Sequence, residues 1–269
     1  MGEGEGGREI DDTTNIGRKN MYNSLTHLTI NAQSLQYKMN ELREIAFQHK
    51  PQIIAVTESW GKPDIDDVTF KIDGYIMYRS DKINRVSSDA GGTLLYVTDK
   101  LGQRECKPLK RPENGIPFDS STWCWVTPTK GKKVLVGCIY RSPSSLTMNN
   151  DKLLKLIDQA NEIAGNSRLL ILGDFNIPRI DWINNNSMPT ANKIEKDLLG
   201  KITDNLMYQH MKENTRIRGN QKSILDLILR GLSGLSTFNP KYHIFAFLPP
   251  VTTVFAAPRK YFMCGCTLI

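Results

Sequence analysis

The stretch Leu169-Leu170-Ile171-Leu172-Gly173-Asp174-Phe175-Asn176 decides how this chain is read. Its apolar run is too short for an ordinary helix and marks a strand buried on both faces. Gly173 permits a bend, and the polar residues Asp174 and Asn176 stand where the strand ends. In α/β folds ligands gather at such ends, because the loops there converge on one edge.

Working outward, the arrangement recurs. Leu25 to Ile30 reads as a strand followed by Asn31, and Ile53-Ile54-Ala55-Val56 as a buried strand followed by Thr57 and Glu58. Taken singly, Asn31 could be a helix cap, Glu58 a solvated strand end and Asp174 a turn residue. Their shared placement favours a site. Between the first two strands, Leu35, Met39, Leu42 and Ile45 recur at helical spacing, with Ser34 as the expected N-cap and an end near Lys50, before Pro51.

Further strands are expected at Thr93 to Val97 and Val134 to Tyr140, at Trp123 to Thr127 with alternating faces, and at Ile224 to Leu229. Leu153, Ile157, Ala160 and Ala164 mark a second helix, and Ile194, Leu198, Ile202 and Leu206 a third. Several neighbouring strands lack an intervening helix, which implies α/β layers around mixed sheets. One domain over 25–230 is expected. It follows a disordered leader, 1–24, rich in Gly and Glu, and precedes a divergent tail, 231–269, with no Asp or Glu and no assigned structure.

Composition excludes other classes. The 269 residues are 39% hydrophobic and 23% charged, which fits neither a fibrous chain nor a disulfide scaffold. Five Cys at no paired spacing suit free thiols in a reducing compartment. The longest apolar stretch, Ile244 to Ala257, is broken by Pro249 and Pro250, so no stable membrane association is expected. No signal pattern precedes the domain, so an intracellular protein, nuclear or cytoplasmic and not secreted, is expected. The end, Cys266-Thr267-Leu268-Ile269, has the C-a-a-X form with Cys264 nearby, but only Arg259 and Lys260 supply a basic patch. An accident of the tail is the simpler reading.

The net charge of +7 is uneven: residues 227–269 carry +4, and residues 100–133 carry +5 through Lys100, Arg104, Lys107, Lys110, Arg111, Lys130, Lys132 and Lys133. Such a segment could attract phosphate backbones or be a solvated face. The four His are scattered, which argues against zinc, and there is no G-x-x-x-x-G-K-[ST], G-x-G-x-x-G or G-x-S-x-G. Carboxylates at neighbouring strand ends suit Mg²⁺, with Mn²⁺ as the alternative, and leave metal-assisted attack on a phosphoester as the chemistry.

In order along the chain stand Ile30-Asn31-Ala32-Gln33-Ser34-Leu35, Thr57-Glu58-Ser59-Trp60, Gly137-Cys138-Ile139-Tyr140-Arg141-Ser142-Pro143, Gly173-Asp174-Phe175-Asn176-Ile177-Pro178, Asn214-Thr215-Arg216 and Leu225-Asp226-Leu227-Ile228-Leu229. Over about 25–229 the chain resembles the endonuclease/exonuclease/phosphatase superfamily, specifically the apurinic-endonuclease-like endonuclease domain of non-LTR retrotransposons. The resemblance implies a four-layer α/β sandwich with two mixed β-sheets, DNase I-like and here incomplete at the C-terminus. It implies a Mg²⁺-dependent phosphodiesterase that nicks one strand of its partner, DNA, by water attack, exposing a 3′-hydroxyl that primes reverse transcription.

By the same resemblance Glu58 would hold Mg²⁺, with Asn31 orienting the site. Asp174 would act as general base and Asn176 would support the transition state. Tyr140 would contact the scissile phosphate, Thr215 would line the site as a substrate contact, and Asp226 would orient a catalytic His. The family's closing Ser-Asp-His triplet, however, has no counterpart: no Asp follows Asp226, and the only later His is His243, with no carboxylate beside it. A frameshift, alternative exon or decayed copy after about residue 230 would explain this. The loss implies impaired activity and opens a second reading, a catalytically inactive transposon-derived remnant that binds DNA or has no nuclease role.

Overall fold

The computed structural model describes residues 24–82, 91–106, 109, 118, 120–129, 131–231, 245–247 and 264–267. The expected leader up to residue 23, His243 and most of the tail lie outside them, and Ser24, expected to end the leader, already opens the first strand. Strand β1 (Ser24–Asn31) leads through a 3-10 turn (Leu35–Lys38) and helix α1 (Met39–His49) to β2 (Ile53–Thr57), which pairs with β1 in parallel. After β3 (Tyr75–Ser80), β4 (Thr93–Thr98) inserts between β2 and β3, antiparallel to both.

The second sheet repeats the device. Strands β5 (Gly102–Glu105), β6 (Ser121–Thr127) and β7 (Val134–Tyr140) form a meander. Helix α2 (Thr147–Ala164) then carries the chain to β8 (Arg168–Asp174), parallel to β7. A small hairpin, β9 (Ile180–Asp181) and β10 (Asn186–Ser187), precedes α3 (Lys193–Asp204) and β11 (Met207–Gln209). A second hairpin, β12 (Arg216–Arg218) and β13 (Gln221–Ser223), leads into β14 (Asp226–Gly231), which lies between β8 and β11. Within the tail, β15 (Phe245–Phe247) runs parallel and β16 (Cys264–Thr267) antiparallel along the outer edge of β1.

Side-chain alternation explains the layers. Ile53 and Ala55 of β2 face the second sheet and pack with Val136, Cys138, Leu170 and Leu172, whereas Ile54 and Val56 turn to α1 and meet Leu42 and Ala46. On the far face of the second sheet, Leu135, Ile139, Leu169 and Ile171 meet Leu153 and Ile157 of α2 and Leu198 and Ile202 of α3. Three apolar interlayers separate four layers, the expected four-layer α/β sandwich. A strand between two such interlayers must be apolar on every residue, which is why β2 and β8 read as continuous runs.

Two local expectations need correction. Ser34 caps nothing: it has φ 77° and no side-chain capping bond, and the α-helix starts only at Met39. Leu206 is not part of α3; it is exposed and has φ 50°, because the chain turns at Asn205. Trp123 to Thr127 alternates faces as expected: Trp123 and Trp125 pack towards α2, and Cys124 and Val126 pack between the sheets. Gly137 is required on the neighbouring strand, where a Cβ would lie 2.4 Å from the Trp123 ring.

Candidate active site

The parallel pairs β1–β2 and β7–β8 end at the same edge of the sandwich, which brings Asn31, Glu58, Tyr140 and Asp174 together. Past β1 and β2 the backbone stays zipped, with Ala32 N–H donating to Thr57 O at 2.9 Å and Ser34 N–H to Glu58 O at 3.0 Å. Buried Lys38 donates to the carbonyls of Ala32 (2.5 Å) and Gln33 (3.1 Å), tying the α1 side to this loop. Glu58 itself has φ 51° and Asn176 φ 49°. Left-handed backbone costs a residue other than Gly about 1 kcal/mol, least for Asn. The surrounding ladder holds both residues in place.

Asn31 is the hub. Its Nδ2 donates to Glu58 Oε1 at 2.8 Å and to Asp174 Oδ2 at 2.9 Å, so one amide joins the two sheets. Its Oδ1 is buried with no hydrogen-bond partner among the described residues. Asp174 Oδ1 accepts the Asn176 N–H at 2.9 Å, and Asn176 Nδ2 donates to Arg141 O at 2.9 Å. The Tyr140 hydroxyl donates to Glu58; burial, then the Glu58 and Asp174 charges, raise its pKa and keep it protonated. Asn31, Glu58, Asp174 and Asn176 line a cleft of about 690 Å³ together with Thr215 and Arg216, among others, whereas Tyr140 is not among its lining residues.

Asp226 stands opposite Asp174 on the adjoining strand. Thr215 reaches it from the loop before β12: its hydroxyl accepts the N–H groups of Leu225 (2.9 Å) and Asp226 (3.1 Å) and bonds the Asp226 carboxyl. Burial, then the Asp226 charge, holds the Asp174 carboxyl well above the usual carboxylate range, against its bonds from Asn176 and Asn31. Burial likewise pushes Asp226 up to about 7; the Thr215 bond opposes this and the Glu58 charge adds to it.

The stability consequence has a definite sign. A carboxyl whose folded pKa is raised stabilises the fold at low pH, and that contribution is lost as pH climbs from about 4 towards 7. In EDTA the protein is therefore expected to melt lower at pH 8 than at pH 5. Asp226→Asn should flatten the decline and raise the pH 8 melting temperature by roughly 4–8 °C, corresponding to about 2 kcal/mol. A variant melting below the parent at pH 8 would refute this.

Sequence reasoning missed Arg141 as a site residue. It is buried and donates through Nη1 to the carbonyls of Phe175 (3.4 Å) and Asn176 (3.2 Å) and through Nε to Asn150 Oδ1 (2.8 Å). Its presence beside Tyr140 was visible; its burial was not. Of the basic segment, Lys107, Lys110, Arg111 and Lys130 lie outside the described residues. Lys132 and Lys133 precede β7, with Tyr140 at that strand's other end seven residues or more and over about 20 Å away, so they do not line the cleft. Among the described residues no three His, Cys, Asp or Glu side chains form a metal-ligating group.

The family model for "Endonuclease-reverse transcriptase" matches residues 134–242, which span β7, β8, β14 and the site residues on them. No curated protein matches the chain. Among solved structures, the endonuclease domain of TRAS1, a telomere-specific non-LTR retrotransposon, superposes with a TM-score of 0.57 at 15% identity, covering 80% of this chain and 90% of that one. The AP endonuclease LMAP from Leishmania major gives 0.63 at 13%, covering 91% and 88%. The 3′ phosphatase NExo from Neisseria, bound to product DNA hairpin, gives 0.56 at 12%, covering 91% and 99%. The fold is the α/β sandwich that these solved structures share. Over residues 134–242 the chain matches that family model, and over most of its length it shares the fold of these solved structures.

Proposed function

We propose that this protein is a metal-dependent phosphodiesterase of the retrotransposon endonuclease kind, nicking one strand of DNA. The observation that carries the reading is the Asn31 amide held between Glu58 and Asp174 on the floor of an open cleft. The donor set fits a hard cation: the Glu58 carboxylate and the unpartnered Oδ1 of Asn31 are oxygen donors of the type Mg²⁺ or Mn²⁺ takes, with water completing the shell. Bound there, such an ion would supply positive charge against the phosphoryl oxygens.

The chain's own residues supply the rest. Asp174 holds the attacking water and takes its proton, and its two hydrogen bonds fix the carboxylate's direction. The water oxygen bonds to phosphorus as the P–O3′ bond breaks, and the departing O3′ takes a proton from solvent, leaving a 3′-hydroxyl and a 5′-phosphate, after which Asp174 gives up its proton to solvent. Asn176 and the Tyr140 hydroxyl donate towards the phosphoryl oxygens, where charge grows. Thr215 lines the cleft and keeps Asp226 in place.

A second reading, a remnant that binds DNA without cutting it, is favoured by one observation. No Asp follows Asp226 in the chain, and among the described residues Asp226 is partnered by Thr215 where the family pattern has an imidazole. Supercoiled plasmid with Mg²⁺ decides between the readings. Nicking that vanishes in EDTA and falls at least about 10²-fold in Asp174→Ala is the expected result. Nicking no faster than that of Asp174→Ala, from protein with a cooperative melt, would leave binding as the function.

A further inference from the structure

The catalytic cleft is poorly charged for its proposed substrate. Its lining carries Glu58 and Asp174, with Arg216 as its one cation among the described residues. A phosphodiester entering it meets net negative charge, so cationic groups close by have to offset that repulsion. A side pocket of about 170 Å³ opens off the same wall and shares Asn176, Pro143, Arg216 and Leu225 with the cleft. Arg141, Arg179 and Arg216 converge on it against a single acid, Glu195.

That acid is already committed. Glu195 is buried, and its carboxylate closes the capping box of α3 by accepting the Asn192 N–H at 2.7 Å. It also accepts Arg179 Nε at 2.9 Å. The arrangement leaves the terminal nitrogens of Arg179 with no hydrogen bond among the described residues. The same holds for the Arg216 side chain, which stands exposed on β12. Arg141 is fixed from behind by Asn150 and the two carbonyls. Guanidinium groups held this way present planar donor pairs suited to phosphate oxygens.

We propose that this side pocket is a second phosphate subsite, holding a backbone phosphate that neighbours the scissile one on the same DNA strand. The inference rests on the nuclease reading and deepens it: the acidic floor handles the chemistry, and the arginine pocket supplies the attraction that places the strand over it. Asn176, common to both, separates the two phosphates.

The test is a charge-deletion cycle on the full chain in EDTA, read by anisotropy of a labelled duplex. Each phosphate of one strand is replaced in turn by an uncharged methylphosphonate. One replacement neighbouring the scissile position is expected to weaken binding about tenfold. In Arg216→Gln and Arg179→Gln that same replacement should cost less than about twofold, and the slope of log affinity against log salt should fall by about 1. Arg179→Lys should recover most of the coupling. Arg216 lies on an exposed hairpin, so its variant carries the test even if Arg179→Gln loosens α3. Replacements that cost the variants as much as the parent would overturn the subsite while leaving the nuclease reading intact. A parent chain that binds no duplex would overturn both.

Discussion

Gly173→Ala is expected to abolish the cooperative thermal transition or to lower it by more than about 10 °C. A Cβ at this position would lie 1.9 Å from the Ile139 carbonyl oxygen, and the residue sits at φ 139°, where L side chains are strained. Neither problem can relax locally. Gly173 faces Ile139 in the β7–β8 ladder and Leu227 in the β14–β8 ladder, so moving it opens the centre of the second sheet. Clashes of this kind cost more than about 4 kcal/mol, a large part of a domain's total stability of about 5–15 kcal/mol. Gly219→Ala is the matched control. It has φ 57° and nothing within 4 Å of its Cβ position, so only the backbone cost of about 1 kcal/mol applies. If the two variants melt within a few degrees of each other, the steric argument is wrong.

Asn31→Asp should cost nicking about 10²–10³-fold with little change in the far-ultraviolet circular dichroism spectrum. The substitution keeps the shape and exchanges a donor for an acceptor. Bonds of 2.8 Å to Glu58 and 2.9 Å to Asp174 become contacts between carboxyl groups. Loss of one oriented donor in a catalytic site has an effect of that size. A third acid would also drive a proton onto the cluster, so the variant's residual rate should rise with pH more steeply than the parent's. Single-turnover nicking from pH 6 to 9 at saturating Mg²⁺ measures both effects. A variant within about tenfold of the parent across that range would remove Asn31 from the mechanism.

Much of this architecture was legible because the sandwich buries both faces of its central strands. Such strands need unbroken apolar runs, and those runs locate the polar residues at their ends. Edge strands carry no such mark. Tyr75–Ser80 is only partly buried and Gly102–Glu105 is polar and partly exposed, so neither shows an unbroken buried run, and it is the ladder with their neighbours that makes them strands. The helical period of Leu206 ran on past the true end of α3, because periodicity does not register the turn at Asn205.

In the site, Asn31, Glu58, Asp174 and Asp226 could be marked as candidates, but which amide touches which carboxylate could not. Arg141 was hidden for a different reason: an arginine reads as surface until tertiary structure gives it buried acceptors. The side pocket joins Arg179 and Arg216 from opposite sides of α3, a proximity that no sequence spacing encodes.

One amide fastening a strand of the first sheet to a strand of the second makes the site a gauge of alignment between two slabs. A slip of one residue along β8 would carry Asp174 about 3.3 Å, beyond the tolerance of any hydrogen bond. Only one registration of the slabs is therefore competent. Agents that loosen the seam, such as heat, mild denaturant or a shortened side chain between the sheets, should silence the protein while most of its secondary structure is still in place.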